Sequence, residues 1–226
     1  TVYTVDLLGC GRSDKSSITY TNFVYVQMIS DFIKKIIGQK TDVIASGFSG
    51  SFVTMACHNE KELFNKIMLI NPPSLTQLKQ MPNRKDRLLK AALEIPIFGT
   101  LVYHMIVSRD NINNLFIEKM YYNPFHVDNQ MADAYYEAAH KGGYYTRFLY
   151  SSLAAKYINI NICHALKALD NSIYIVEGET EPNGKAVTND YCASNPAIEV
   201  SVLKETKHLP HVEAPEAFLE QVKIFF

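Results

Sequence analysis

Two hydrophobic periods alternate along the chain. Phe23, Val26, Ile29, Ile33 and Ile36 recur at steps of three and four residues, with Lys34 and Lys35 on the other face. This spacing predicts an amphipathic helix over "FVYVQMISDFIKKIIGQK", stopped by Gly38. "TDVIAS" reads as a short β-branched strand, "FVTMACHNEKELF" returns to helical spacing, and "KIMLINPP" is an apolar strand halted by two prolines. The opening run "TVYTVDLL" is also strand-like over residues 2–7, and the Gly- and Ser-rich "GCGRSDKS" after it is a loop. Strands that alternate with helices predict a mostly parallel sheet, an α/β fold.

From about residue 74 to residue 161 the pattern changes. Charged and aromatic residues mix at helical spacing, as in "RKDRLLKAAL" and "NQMADAYYEAAHKGGYYTRFLYSSLAAKY", and no strand pattern stands out. The alternation resumes with "NSIYIVEGE", "AIEVSVLKE", the loop "TKHLPHVEAP" and a closing helix "EAFLEQVKIFF". The expected layout is an α/β core over residues 1–73 and 162–226, interrupted by a helical insertion over 74–161. No repeat or low-complexity segment interrupts it.

Composition narrows the partners. Of the 226 residues 47% are hydrophobic, enough for a large core, and the net charge of −1 offers no basic excess to collect phosphates. Nucleic acid is therefore not an expected partner. No apolar run approaches the roughly 20 residues that span a bilayer, and no signal sequence opens the chain, so no membrane is expected. Cys10, Cys57, Cys163 and Cys192 lack metal or redox spacing and are expected to be reduced thiols, mostly in the core, of a cytoplasmic protein. His58, His104, His126, His140 and His164 have no acidic companion at metal-ligand spacing, and neither a metal nor a cofactor is expected. The chain opens at Thr1 on the strand-like run, and it is expected to be part of a longer chain.

Candidate chemistry centres on "ASGFSGSF", which lies between a strand and a helix. A strand, nucleophile, helix turn holds its serine in a strained conformation, with small residues two before and two after it. Gly47 and Ser51 fill those places around Ser49, and the Gly50 N–H is placed to stabilise an oxyanion, with Phe48 beside it on the substrate side. The same letters also fit a turn in which Ser49 only caps the helix. A serine nucleophile needs a base and an orienting carboxylate, and "KHLPHVEAP" and "IYIVEGETEP" offer His208 and Glu181 in the chain order Ser, acid, His. Glu179, Glu177 and Asp190 are further carboxylates near that position, and His211 is a second histidine near the base.

Taken together, "VYTVDLLGCGRSDK", "GFSGS", "IYIVEGETEP" and "KHLPHVEAPEAF" resemble the α/β-hydrolase superfamily, in the branch with a helical cap and a serine nucleophile. The resemblance spans nearly the whole chain. It implies acyl transfer to water: Ser49 attacks, His208 moves the proton, Glu181 orients His208, and Gly50 with Phe48 serves the oxyanion and substrate. The implied substrate is a small carboxylic ester with an apolar or aromatic acyl part. In this family the loop holding Asp6, Gly9, Gly11, Arg12 and Ser13 is structural, with an Arg–Asp pairing. Three departures stand out: Glu181 replaces the usual Asp, Ser51 replaces a Gly, and the strands and oxyanion loop that precede this segment in the family lie before Thr1. They motivate the rival expectation, a degenerate member that binds a small ligand without catalysis.

Overall fold

A computed structural model describes residues 1–226, the side chain of Asn129 excepted. Four strands, β1 (Thr41–Ser46), β2 (Phe64–Ile70), β3 (Ile173–Gly178) and β4 (Glu199–Leu203), alternate with helices as the two periods predict. The helices are α1 (Asn22–Phe32), α2 (Phe48–Asn59), α3 (Leu75–Leu78), α4 (Arg84–Glu94), α5 (Pro96–Ile106), α6 (Arg109–Leu115), α7 (Asn129–His140), α8 (Thr146–Ala154), α9 (Cys163–Ala168), α10 (Gly184–Ser194), α11 (Pro210–Glu213) and α12 (Pro215–Phe225). Among the described residues, no single helix is long and apolar enough to cross a membrane.

The chain forms two compact units. One comprises residues 26–79, 117–126 and 160–226 and contains the whole sheet. Its strands are all parallel in the order β1-β2-β3-β4, in a register that aligns Ile44 with Met68, Met68 with Tyr174 and Tyr174 with Glu199. β3 is buried along its whole length, as a central parallel strand covered on both faces must be. Met68, Tyr174, Val176 and Leu203 pack against Ala217, Phe218, Val222 and Phe225 of α12. Each such side chain, fully buried, contributes about 1.5–3 kcal/mol. The edge strand β1 leaves Ile44 44% exposed. Because the strands are parallel, all four C-terminal ends open on one edge of the sheet, where the loops carry the chemistry.

The other unit comprises residues 1–25, 80–116 and 127–159. Asn83 starts α4 with a capping box to Asp86, and Pro96 occupies the first turn of α5. α4 packs on α8, where Asp86 pairs with Lys156 at 3.2 Å and Glu94 accepts from the Ser151 hydroxyl at 2.8 Å. Among the described residues of 74–161 there is no strand. Residues 1–25 belong to this unit, and residues 74–79 and 117–126 to the other. Tyr20 N–H donates to Ser152 Oγ at 3.0 Å, and Asn22 Nδ2 donates to the Asn159 carbonyl at 2.6 Å.

Four local expectations are corrected. Residues 2–7 form no strand; Val2, Tyr3 and Val5 are exposed, and apolar alternation is a local signal, whereas a strand is defined by its ladder of hydrogen bonds. In the first helix Tyr25, Val26 and Ile33 are buried, whereas Phe23 and Ile36 are exposed. A π-helical turn at Ile33–Ile37 changes the period there, and Gly38 ends it at φ 71° with its N–H on the Ile33 carbonyl at 2.7 Å. The Arg12 bond to Asp6 comes from the backbone N–H at 2.8 Å. Of the cysteines only Cys57 is buried; Cys10 is exposed and the other two are intermediate.

Candidate functional site

Three loops at the C-terminal edge of the sheet carry the candidate residues, and two of them bring His208 and Glu181 together. The turn after β3 carries Glu181, whose Oε1 lies 3.0 Å from Nδ1 of His208 in the loop after β4. Their side chains are 19% and 33% exposed, so the pair is shielded but reachable. With Nδ1–H donated to Glu181, the imidazole leaves Nε2 unprotonated and able to accept a proton. The two loops are laced together: Glu179 N–H donates to the Leu203 carbonyl, Thr180 N–H to the Thr206 carbonyl, and Glu205 N–H to Glu179 Oε2, each at 3.0 Å. Glu179 therefore has a structural task. Gly178 permits this approach, because a Cβ there would collide with the Lys207 carbonyl. Glu213 accepts from Lys207 N–H at 2.7 Å and from Tyr122 N–H at 2.6 Å, which holds the His208 loop from its other end.

Sequence reasoning missed Asn71. It is 5% exposed, sits at φ 40° just past β2, and ties the strand ends together. Its Oδ1 accepts from Gly178 N–H at 3.0 Å, while Nδ2 donates to the Lys207 and His208 carbonyls at 2.8 and 2.9 Å. Its own N–H donates to the Val176 carbonyl at 3.1 Å. The available signal was an Asn at a strand end directly before Pro72 and Pro73, since Asn tolerates positive φ better than most residues.

The turn between β1 and α2 departs from the expected register. Gly47 holds the strained position, with φ 57° and ψ −131°, and its N–H donates to the Ile70 carbonyl at 2.9 Å. α2 begins at Phe48, so Ser49 is a helical residue in the first turn, and its hydroxyl donates to the Ser46 carbonyl at 2.6 Å. Ser49 neither occupies the strained corner nor caps the helix, whose N-cap is Gly47. The Gly50 N–H, expected to face an oxyanion, donates to the Gly47 carbonyl at 3.1 Å. Glycine takes the corner because it has no Cβ to strain there. A Cβ built on Gly47 meets nothing within 4 Å, so the space over the corner is open.

A cavity of about 340 Å³ lies at this edge. Gly47, Phe48, Asn71, Glu177, Glu181 and His208 line it, with Pro72, Pro73 and Val187 as apolar wall; Ser49, Gly50 and Asp190 do not. Glu177 is the next-to-last residue of β3 and is 3% exposed. Burial pushes its carboxyl above the ordinary range, the nearby charge of Glu181 adds to this, and Thr188 and Lys185 only partly offset it. Burial and the nearby His208 hold His211 below the usual imidazole range, and His211 does not line the cavity. Among the described residues, no group of three or more His, Cys, Asp and Glu side chains is arranged to hold a metal ion.

The sequence matches the profile of a family described as the alpha/beta hydrolase family over residues 1–221. No curated protein matches it. Among solved structures it is similar to a bromoperoxidase from Bacillus anthracis, at 11% identity and a TM-score of 0.74 over 97% of this chain and 79% of that one. It is also similar to a 2-hydroxy-6-oxo-6-phenylhexa-2,4-dienoate hydrolase from Rhodococcus sp. strain RHA1, at 16% identity and 0.73 over 98% and 78%. A structure from work on carboxylesterases of the thaumarchaeon Nitrososphaera gargenis matches at 16% identity and 0.69 over 97% and 77%. These likenesses share the parallel sheet flanked by helices.

Two outcomes follow from this geometry. Asn71→Ala leaves the Gly178 N–H and two carbonyls without their side-chain partner, and we expect a loss of about 2–4 kcal/mol in urea unfolding. For Glu177 the folded state keeps its proton at pH values where the unfolded carboxyl has already lost it. Its contribution to stability therefore falls as pH rises from the ordinary carboxyl range through the raised one. Compared by urea midpoint at about pH 4 and about pH 8, Glu177→Gln should gain on the parent at the higher pH.

Proposed function

The chain belongs to the alpha/beta hydrolase family, and on that footing we propose that it binds a small organic ligand at the His208–Glu181 dyad without forming an acyl-enzyme. The observation that carries this reading is the glycine at the strained corner. In a nucleophile elbow the attacking side chain stands on the strained residue, and the next N–H faces the oxyanion. Here those positions are Gly47, which has no side chain, and Phe48. The dyad is otherwise complete, with His208 oriented by Glu181 beside the cavity. The ligand is small, because the cavity is about 340 Å³, and mainly apolar with a polar end, because Phe48, Pro72, Pro73 and Val187 line it together with two carboxylates and His208.

Ester cleavage through Ser49 is the competing reading. It requires the Ser49 hydroxyl to leave the Ser46 carbonyl and to act from within a helical turn. Hydrolases and esterases among the structural neighbours favour it by analogy of fold alone.

A fluorophosphonate probe separates the two. We expect no labelling of the parent chain, and labelling of Gly47→Ser that disappears in Gly47→Ser/His208→Ala. The space over Gly47 admits a serine side chain, at a strain cost of about 1–3 kcal/mol that thermal unfolding would register. Labelling of the parent that is lost in Ser49→Ala would establish the esterase reading instead.

A further inference from the structure

Two carboxylates, Glu177 and Glu181, line the cavity beside His208. Glu181 uses Oε1 on His208, and its Oε2 is buried without a partner. Glu177, which the dyad does not use, is 97% buried by the complement of its 3% exposure, and its Oε2 likewise has no partner. The polar wall has little left to offer it. Both ends of the Asn71 amide are committed to backbone groups. The Thr188 hydroxyl, which also acts on Glu177, has the Gly184 and Lys185 carbonyls as competing acceptors at 3.2 and 3.3 Å. Lys185 is exposed and, among the described residues, makes no ion pair with Glu177. The carboxylate is nevertheless seated rather than merely trapped. Gly184, the first residue of α10, lacks the Cβ that would collide with Glu177 Oε1, so the helix start closes over the acid. A buried carboxyl with an open lone pair is costly unless a donor reaches it, and a cationic donor satisfies it best.

We propose that the cavity takes a small ligand carrying a protonated amine, whose N–H groups are received by Glu177 while its apolar part lies along Pro72, Pro73 and Val187. Glu177 is then the residue that selects the ligand's charge. This rests on the reading of the cavity as a ligand site, and the two can fail separately.

The test uses three probes of one shape on the whole chain: benzylamine, benzyl alcohol and benzoate. Each is titrated while the ring signals of His208 are followed by NMR, which localises binding to this cavity. Benzylamine should bind at least about tenfold more tightly than the alcohol, the scale of one charged hydrogen bond, and benzoate more weakly than either. Glu177→Gln should erase the preference for the amine by lowering its affinity to about that of the alcohol. Its urea midpoint checks that the fold is intact. Equal affinity for amine and alcohol, or an amine preference that survives in Glu177→Gln, overturns the role of Glu177 and leaves the ligand site standing. No shift of the His208 signals with any probe overturns both.

Discussion

The buried amide of Asn71 is the interaction on which the site depends. A parallel sheet delivers its loops to one edge but does not by itself register them against each other. Asn71 does so by accepting from the end of β3 and donating to the two carbonyls that flank the His208 corner. Its positive φ turns the chain after β2 so that one side chain reaches both neighbours. Gly178 allows the closeness, and Glu213 holds the far end of the same loop. The 3.0 Å contact between His208 and Glu181 is thus the product of backbone bonds placed around it.

The electrostatics of the edge follow from that arrangement. Two carboxylates and an imidazole share a small, half-closed space, and burial raises the cost of every charge that is not paired. Glu181 has its imidazole; Glu177 has no comparable partner. The corner at Gly47 adds the opposite feature, an open space where a side chain would stand, reached at little strain because the residue is glycine. The site combines a proton acceptor, a buried acid and an empty corner.

Much of this was legible from residue order. The change from period two to period three or four located the four strands from "TDVIAS" onward and the helices between them, and Gly38 marked a helix end through its tolerance of positive φ. "GETEP" and "KHLPH" marked the residues that meet as a dyad, because an acid and a histidine after successive parallel strands must arrive at the same sheet edge. The register of the serine turn was not legible. In "ASGFSGS" small residues recur at every second position, so the letters fit a strained corner at residue 49 as well as at residue 47.

The sequence by itself determined the alternating parallel architecture, since hydrophobic periodicity is a local property, and it placed a few acids and two histidines, Glu181 and His208 among them, after successive strands. Only the tertiary structure decided where the corner falls, because that depends on where the pairing of β1 with β2 ends: Ser46 is the last residue of β1, and the Gly47 N–H just after it meets the Ile70 carbonyl. It also decided that residues 2–7 form no strand, since pairing needs a neighbour that no local pattern supplies. Asn71 and Glu177 gained their importance in the same way: their partners, or the lack of them, lie more than a hundred residues away or across a cavity wall.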